Sequence, residues 1–356
     1  MQFRNDCSDG PKDIKCLVWD LDNTLWQGTL LEGDEITINP GTVAIIRQLD
    51  ERGILQSIAS RNDFAPAWEK VKALGLDRFF LHPQIGWGEK SAAIGRITSA
   101  LDLSADTIAF VDDQAFERDE VAFHLPQLRV YDAADLPVAV KRPEFNPRFA
   151  TVESRRRREM YQADLARDAD LAQFDGPRDE FLKKLEMEVG IRRAGPDDLL
   201  RAEELTFRTS QLNTTGRIFS AIELADLLAS SLNKLFVVSL TDRYGSSGTV
   251  GLVLLEAIEG GWLIRLLIMS CRVMNRGIGG IVLNRILESM KAQGCRIQAD
   301  FVPTERNRLI YMTYRFHGFR ECREPGPDGA IRLEHDLKAV QTAPRHVRVT
   351  APGLPV

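Results

Sequence analysis

The chain has 356 residues, 27% of them charged, and a formal net charge of −5. That length exceeds what one compact core usually needs, so two domains are expected, and the mild acidity gives no overall basis for nucleic-acid binding, leaving only a local basic patch open. The five cysteines (Cys7, Cys16, Cys271, Cys295 and Cys322) have no zinc-site or disulfide-framework spacing, the start MQFRNDCSDG is polar, and no apolar run reaches membrane-span length. These features read as a reducing, cytoplasmic protein with no membrane and no nucleic-acid partner.

Residues 1–13 form a polar arm. From Ile14 to residue 140 strands alternate with helices. KCLVWD is an apolar strand, GTVAIIRQLDERG a helix with Gly53 after it, ILQSIAS a strand and DFAPAWEKVKALG a helix. FFLH reads as a strand, SAAIGRITSALD as a helix and TIAFVDD as a strand. That alternation implies a parallel sheet with helices on both faces and a site at the carboxyl ends of its strands.

The stretch 141–188 reads as a linker. KRPEFNPRFA is rich in proline and charge, and TVESRRRREMYQADLARDADLAQ is a charged helix. Its run Arg155 to Arg158 reads first as a solvated face, with a partner-docking stripe as the alternative. From Val189 to residue 340 come helices at DDLLRAEELTFRTSQ and SAIELADLLASS, then the strands KLFVVSLTD, TVGLVLLEAI and GWLIRLLIMS. A glycine-rich turn leads into the helix MNRGIGGIVLNRILESMKAQG, and the strand IQADFV and the helix ERNRLIYMTYRFHGF follow. This is an α+β pattern. Residues 341–356, rich in proline, are expected to be a disordered tail.

Asp20 and Asp22 lie on one side of an extended chain, and two such anions favour a shared cation, most simply Mg²⁺. Ser60 follows the next strand, Lys90 opens a helix, and Asp112 and Asp113 end a third strand. Together they suit phosphoryl transfer. One carboxylate attacks phosphorus, a second carboxyl protonates the departing oxygen, a hydroxyl and an ammonium hold the phosphoryl oxygens, and further acids anchor the ion. DxDxT, Ser, Lys and DD, in this order, resemble the four motifs of haloacid dehalogenase (HAD)-type phosphotransferases. The resemblance implies Asp20 as the nucleophile, Asp22 as the acid that later activates water, Ser60 and Lys90 as phosphate ligands, and Asp20, Asp22, Asp112 and Asp113 around Mg²⁺. Of the last pair Asp113 is favoured for direct contact. The short path from Asp22 to the next helix leaves no room for a large cap, so the site should be open, with Trp26 and Trp87 as wall residues or core.

In IMSCRVMNRGIGG, Cys271 ends a strand beside Arg272 and ahead of a helix start. Arginine and a helix N-terminus both attract anions, a setting that suits a nucleophile, although a buried, inert cysteine is the plainer reading of this residue alone. The glycine-rich turn resembles the pyrophosphate loop of GNAT-type N-acetyltransferases, with Met274 where that pattern has Gln or Arg. Both halves together, through LTFRTSQLNTTGR, MSCRVMNRGIGG, VPTERNRLIYMTYRFHGF and the linker's RRRREMYQADLAR, resemble the FkbH family across residues 12–338. The resemblance implies an α/β fold class: a HAD-like Rossmannoid parallel sheet without a large cap (14–140), joined to a GNAT-like α+β acyltransferase domain (189–340). It implies an enzyme that takes the acyl group of 1,3-bisphosphoglycerate, removes phosphate, and delivers glyceryl to the phosphopantetheine thiol of an acyl carrier protein for polyketide synthesis. Cys271 would carry the glyceryl thioester, and Gln211, Asn213, Arg217, Arg272, Thr304, Asn307 and His317 would bind the acyl group or assist its transfer. The alternative is a phosphatase of a small metabolite with a C-terminal domain that only binds. Two departures from the family bear on the substrate and the carrier: Ser210-Gln211-Leu212-Asn213 replaces NQFN, and Tyr244 to Gly251 replaces an acidic, glycine-rich hairpin.

Overall fold

The computed structural model describes residues 12–322, 329–342 and 344–354. Cys7 and most of the expected N-terminal arm therefore lie outside the described residues. The chain forms two compact units, Met1–Gln162 and Ala163–Val356.

In the first unit, β1 (Cys16–Trp19) is fully buried, as its run CLVW requires. Asn39 caps α1 (Pro40–Glu51) by accepting a hydrogen bond from the Gly41 N–H, and Pro40 suits the first helical position. Gly53, at φ +72°, then turns the chain into β2 (Leu55–Ser60). α2 (Phe64–Ala73), β3 (Gln84–Ile85), α3 (Lys90–Ala100), β4 (Ile108–Asp112), α4 (Ala115–His124) and β5 (Arg129–Asp132) follow. The short helices α5 (Leu136–Ala139) and α6 (Val152–Arg155) close the unit. All five strands are parallel, in the order β3-β2-β1-β4-β5. β1 is central, and the winding reverses between it and β4, which puts the topological switch point at the carboxyl end of β1. Segment 20–39 holds a single 3-10 turn, Leu30–Glu32, and no inserted domain.

Helix α7 (Arg157–Ala172) carries the boundary between the units. In the second unit α8 (Arg178–Lys183) leads to β6 (Glu188–Arg193), α9 (Leu199–Arg208) and α10 (Ala221–Ala229). An antiparallel meander follows: β7 (Asn233–Asp242), β8 (Gly245–Ile258) and β9 (Gly261–Met269). A 3-10 turn, Cys271–Arg276, feeds α11 (Ile278–Gln293), whose apolar face packs into the unit's main core. Next come β10 (Arg296–Phe301), α12 (Arg308–Phe316), β11 (Arg320–Glu321), β12 (Ile331–His335) and β13 (Arg348–Thr350). The eight-stranded sheet runs β11-β12-β10-β9-β8-β7-β6-β13. β9 and β10 are parallel and pair over Gly261–Ile264 and Arg296–Ala299. Past that point the chain's own Leu212–Thr214 bonds to both: Met269 N–H to Leu212 O at 3.0 Å, Thr214 N–H to Leu267 O at 3.2 Å, and Val302 N–H to Thr214 O at 3.0 Å.

Both halves have the architecture expected, a Rossmannoid parallel sheet without a large cap and an α+β domain. Three local expectations differ. FFLH is not a strand; Phe80 makes one isolated bridge to Gln56, His82 takes a positive φ of 49°, and β3 falls at Gln84–Ile85. The expected disordered tail contributes β13, parallel to β6, and Leu354 is buried. The arginine run is divided. Arg157 bonds the Gly53 carbonyl at 2.8 Å and Arg158 grips Asp50 with two bonds, while Arg155 and Arg156 are exposed.

Candidate active site

Parallel strands deliver the first site's residues to one edge. Asp20 follows the central strand, Ser60 ends β2 on one side of it and Asp112 ends β4 on the other. Lys90, the first residue of α3, reaches in with its ammonium 2.8 Å from Asp20 Oδ1 and in hydrogen-bond contact with Asp112. All four side chains are buried. Burial pushes the Asp20 carboxyl up to about 7; the Lys90 charge and bond and the Ser60 hydrogen bond pull against this, and the neighbouring Asp112 charge adds to the rise. Asp113 is likewise raised, by burial first and by Asp112 second.

The loops around the site are pinned. Asp112 Oδ1 accepts the Gln114 N–H at 2.8 Å, Thr24 accepts the Asp113 N–H at 3.0 Å, and Glu120 accepts from the Ser91 N–H at 3.1 Å and from the Ser91 hydroxyl. Asp20, Asp112 and Asp113 each offer a carboxylate oxygen within 4.8 Å of the others. An all-oxygen set carrying this much negative charge, with an ammonium drawn between two of its members, fits a small hard cation such as Mg²⁺. Asp22 is not part of that set, contrary to the sequence reading. Its Oδ1 accepts from the Trp26 indole at 2.8 Å and the Leu30 N–H at 3.2 Å, and its Oδ2 from Asn62 at 3.0 Å. Trp26 is accordingly core, whereas Trp87 is 67% exposed, with its indole N–H on Asp63 at 2.9 Å. A cavity of about 70 Å³ beside Ser60 and Lys90 is bounded also by Gln84 and Arg96.

In the second unit Cys271 is exposed at the start of its turn. A cavity of about 320 Å³ lies against the glycine-rich start of α11, walled by Leu212, Met269, Val273, Met274, Leu309 and Ile310. Tyr314 of α12 is fully buried facing Thr214 and Asp300, and burial pushes its phenol up.

No family model and no curated protein matches this chain. Solved structures similar to each half do. The N-terminal part of protein BF1531 from Bacteroides fragilis, containing a phosphatase domain complexed with Mg, is 28% identical over 35% of this chain and 38% of its own, with TM-score 0.30. A Legionella pneumophila protein described as a HAD-superfamily (subfamily III A) hydrolase is 23% identical over 33% of this chain and 63% of its own, with TM-score 0.27. The ribosomal-protein-S18-alanine N-acetyltransferase of Escherichia coli is 15% identical over 44% of this chain and 97% of its own, with TM-score 0.33.

The seven acyl-site candidates separate into groups. Asn213 and Asn307 are buried, and their amides serve the backbone. Asn307 Nδ2 bonds the Asn213 and Val302 carbonyls at 3.0 and 2.9 Å, and Asn213 Nδ2 bonds the Arg217 carbonyl at 3.2 Å. Thr304 accepts the Asn307 N–H at 3.2 Å, so these residues pin the inserted segment instead of facing a ligand. The Arg217 guanidinium lies over Phe219 and bonds Glu223. Gln211 is exposed, and continuing the Asn213–Ile268 register sets it opposite Ser270, one residue before Cys271. Arg272 follows Cys271 within the turn, and His317 sits against Gly280, its Nδ1 2.8 Å from the Thr313 carbonyl. The sequence reading did not single out Tyr314, Arg276 or Asp242. The i, i+4 spacing of Ile310 and Tyr314 on a helix was the available signal for the first; nothing local marks the other two.

Proposed function

We propose that this chain is a bifunctional enzyme. A Mg²⁺-dependent HAD-type phosphatase site in the first unit serves an acyl-transfer site in the second, which loads glyceryl from 1,3-bisphosphoglycerate onto the phosphopantetheine thiol of an acyl carrier protein. The observation that carries the reading is the convergence of Asp20, Ser60, Lys90, Asp112 and Asp113 on one uncapped sheet edge, in a chain whose second unit exposes Cys271 at the end of a strand. The segments after β1 and β3 and the first turns of α2 and α4 carry the exposed side chains of Leu31, Trp87, Phe64 and Phe116, which supports an open mouth for a substrate borne on a protein. The cavity at α11, lined by apolar side chains together with Asn275, Thr313 and three glycines, suits the mixed methylene and amide groups of a pantetheine arm.

In the first step the Cys271 thiolate forms a bond to the acyl carbon, the acyl C–O bond breaks, and phosphate leaves with the electron pair. Asp20 then attacks the phosphorus at C3; the C3 oxygen departs and takes a proton from Asp22, and water activated by Asp22 releases phosphate from Asp20. Ser60 and Lys90 hold the phosphoryl oxygens. Mg²⁺ held by Asp20, Asp112 and Asp113 would keep the nucleophile ionised and lessen its repulsion of an anionic substrate. The carrier thiol finally takes glyceryl from Cys271.

Intact mass spectrometry of the protein with 1,3-bisphosphoglycerate and a phosphopantetheinylated carrier tests this. The expected results are a glyceryl adduct that disappears in Cys271→Ala and a phosphoglyceryl adduct that accumulates in Asp20→Asn. An adduct that persists in Cys271→Ala removes the thioester role, and normal C3 phosphate release by Asp20→Asn removes the site assignment. A small-metabolite phosphatase with a binding-only second unit is the competing reading, favoured by the structural use of Asn213 and Asn307.

A further inference from the structure

Cys271 opens a six-residue turn and Arg276 closes it. Arg276 is 5% exposed; its Nη1 donates to Asp242 Oδ2 at 2.8 Å, and its Nη2 donates at 3.2 Å to the carbonyl of Arg272, the residue after Cys271. Asp242, at the end of β7, takes a second guanidinium on the same oxygen, that of Arg167 from α7, at 2.9 Å. Its other oxygen accepts the Tyr244 N–H at 3.0 Å. Asp164 pairs with Arg167 and stands 3.9 Å from Arg276. Two arginines and two aspartates thus form a compact network, with Arg276, Arg167 and the Asp242 carboxylate buried.

Stability alone does not account for it, because well-packed apolar side chains of similar volume usually do as well as a buried ion pair. What the network does supply is direction. Arg276 spans the turn from a fixed carboxylate back to the peptide beside the cysteine, and the carboxylate is fixed in turn by α7 and the β7–β8 hairpin. We propose that Arg276 and Asp242 are positioning residues for the Cys271 thiol, holding the turn so that sulfur meets the acyl carbon of an acyl phosphate along one approach, with Arg167 as the brace behind them. This rests on the reading of Cys271 as the acyl-accepting nucleophile. It also gives the segment RRRREMYQADLAR a part in the second site: Asp164 and Arg167 belong to the foundation of the cysteine turn.

The test compares two reactions of the same thiol in the full-length protein. Acylation by 1,3-bisphosphoglycerate demands orientation, whereas alkylation by iodoacetamide reads thiol access and ionisation. In Arg276→Met and Asp242→Asn, acylation of Cys271 falls by about tenfold or more, as misplacement of a reacting group by about an ångström would cause, while its alkylation stays within about twofold. Arg276→Lys keeps the charge on Asp242 and loses the second arm to the Arg272 carbonyl; it gives an intermediate acylation rate and guards against loss of folding in the other variants. Cys295 and Cys322 in the same peptide map serve as references. Variants that acylate at the wild-type rate overturn the positioning role alone. A parallel change in acylation and alkylation, with Cys295 and Cys322 also becoming more reactive, shows a merely structural network and overturns it too. Absence of any acyl adduct on wild-type Cys271 removes the nucleophile reading and the positioning role with it.

Discussion

Asp22 accepts three hydrogen bonds, from the Trp26 indole, the Leu30 amide and the Asn62 amide. Those donors fix its direction; Oδ1 takes two of them and Oδ2 one, which leaves an acceptor site on Oδ2, beside the Asn62 bond, through which a proton would pass. Asn62 is the replaceable partner, because the other two donors are a core tryptophan and the backbone. Asn62→Ala is expected to leave the fold intact and to lower kcat for p-nitrophenyl phosphate by about tenfold, in line with the partial loss of a positioned acid–base group. KM should change little, since Ser60 and Lys90 are untouched. Steady-state kinetics in Mg²⁺ check this; a raised KM with unchanged kcat would instead make Asn62 a substrate-binding residue.

At the scale of elements, what could be read in advance was periodic and local. Alternating apolar strands and amphipathic helices with their caps disclosed the parallel sheet, and carboxylates at strand ends disclosed the edge that carries the candidate site. FFLH misled because three apolar residues and a histidine do not distinguish a strand from a connection packed under a sheet edge. β13 was hidden because Arg348–Thr350 has no apolar pattern of its own and gains its place only by pairing with β6. The inserted segment Leu212–Thr214 and the Arg276–Asp242 network were equally hidden, since both are defined by partners more than thirty residues away in sequence. Gly53 was legible as a helix stop, but not for its second role: a Cβ there would lie 2.2 Å from the Ser154 carbonyl oxygen. Gly53→Ala therefore combines a positive-φ penalty with a backbone clash against α6, and should cost ~2–4 kcal/mol. Thermal and denaturant unfolding of the first unit would show it; a loss under about 0.5 kcal/mol would mean that α6 is free to shift.

For the whole molecule, charge inside the two units sets opposite responses to acid. In the first unit, free of a divalent cation, Asp20 is raised to about 7 from an ordinary 3.8 and Asp113 is raised as well, both by burial. The folded state there holds protons that the unfolded chain releases, so these groups stabilise the unit at low pH, and the contribution is lost as pH rises through the folded value. His82 in the same unit is lowered by burial and works the other way. The second unit has buried His335, lowered from 6.5 chiefly by desolvation; the Asp336 charge and a hydrogen bond with the His317 backbone oppose this, and the His317 and Lys291 charges add to it. Its contribution is present above 6.5 and is lost as pH falls below that, because the unfolded chain takes up the proton; the slope from one such group is at most about 1.4 kcal/mol per pH unit. Between about pH 7.5 and 5.5, in chelator, the second unit should therefore lose stability on acidification while the first holds or gains. Calorimetry across that range gives the comparison. His335→Gln should flatten the second unit's response, and Asp20→Asn should remove the acid stabilisation of the first. If both units declined in parallel and neither substitution altered the slopes, the buried carboxylates and His335 would not be the groups that set them.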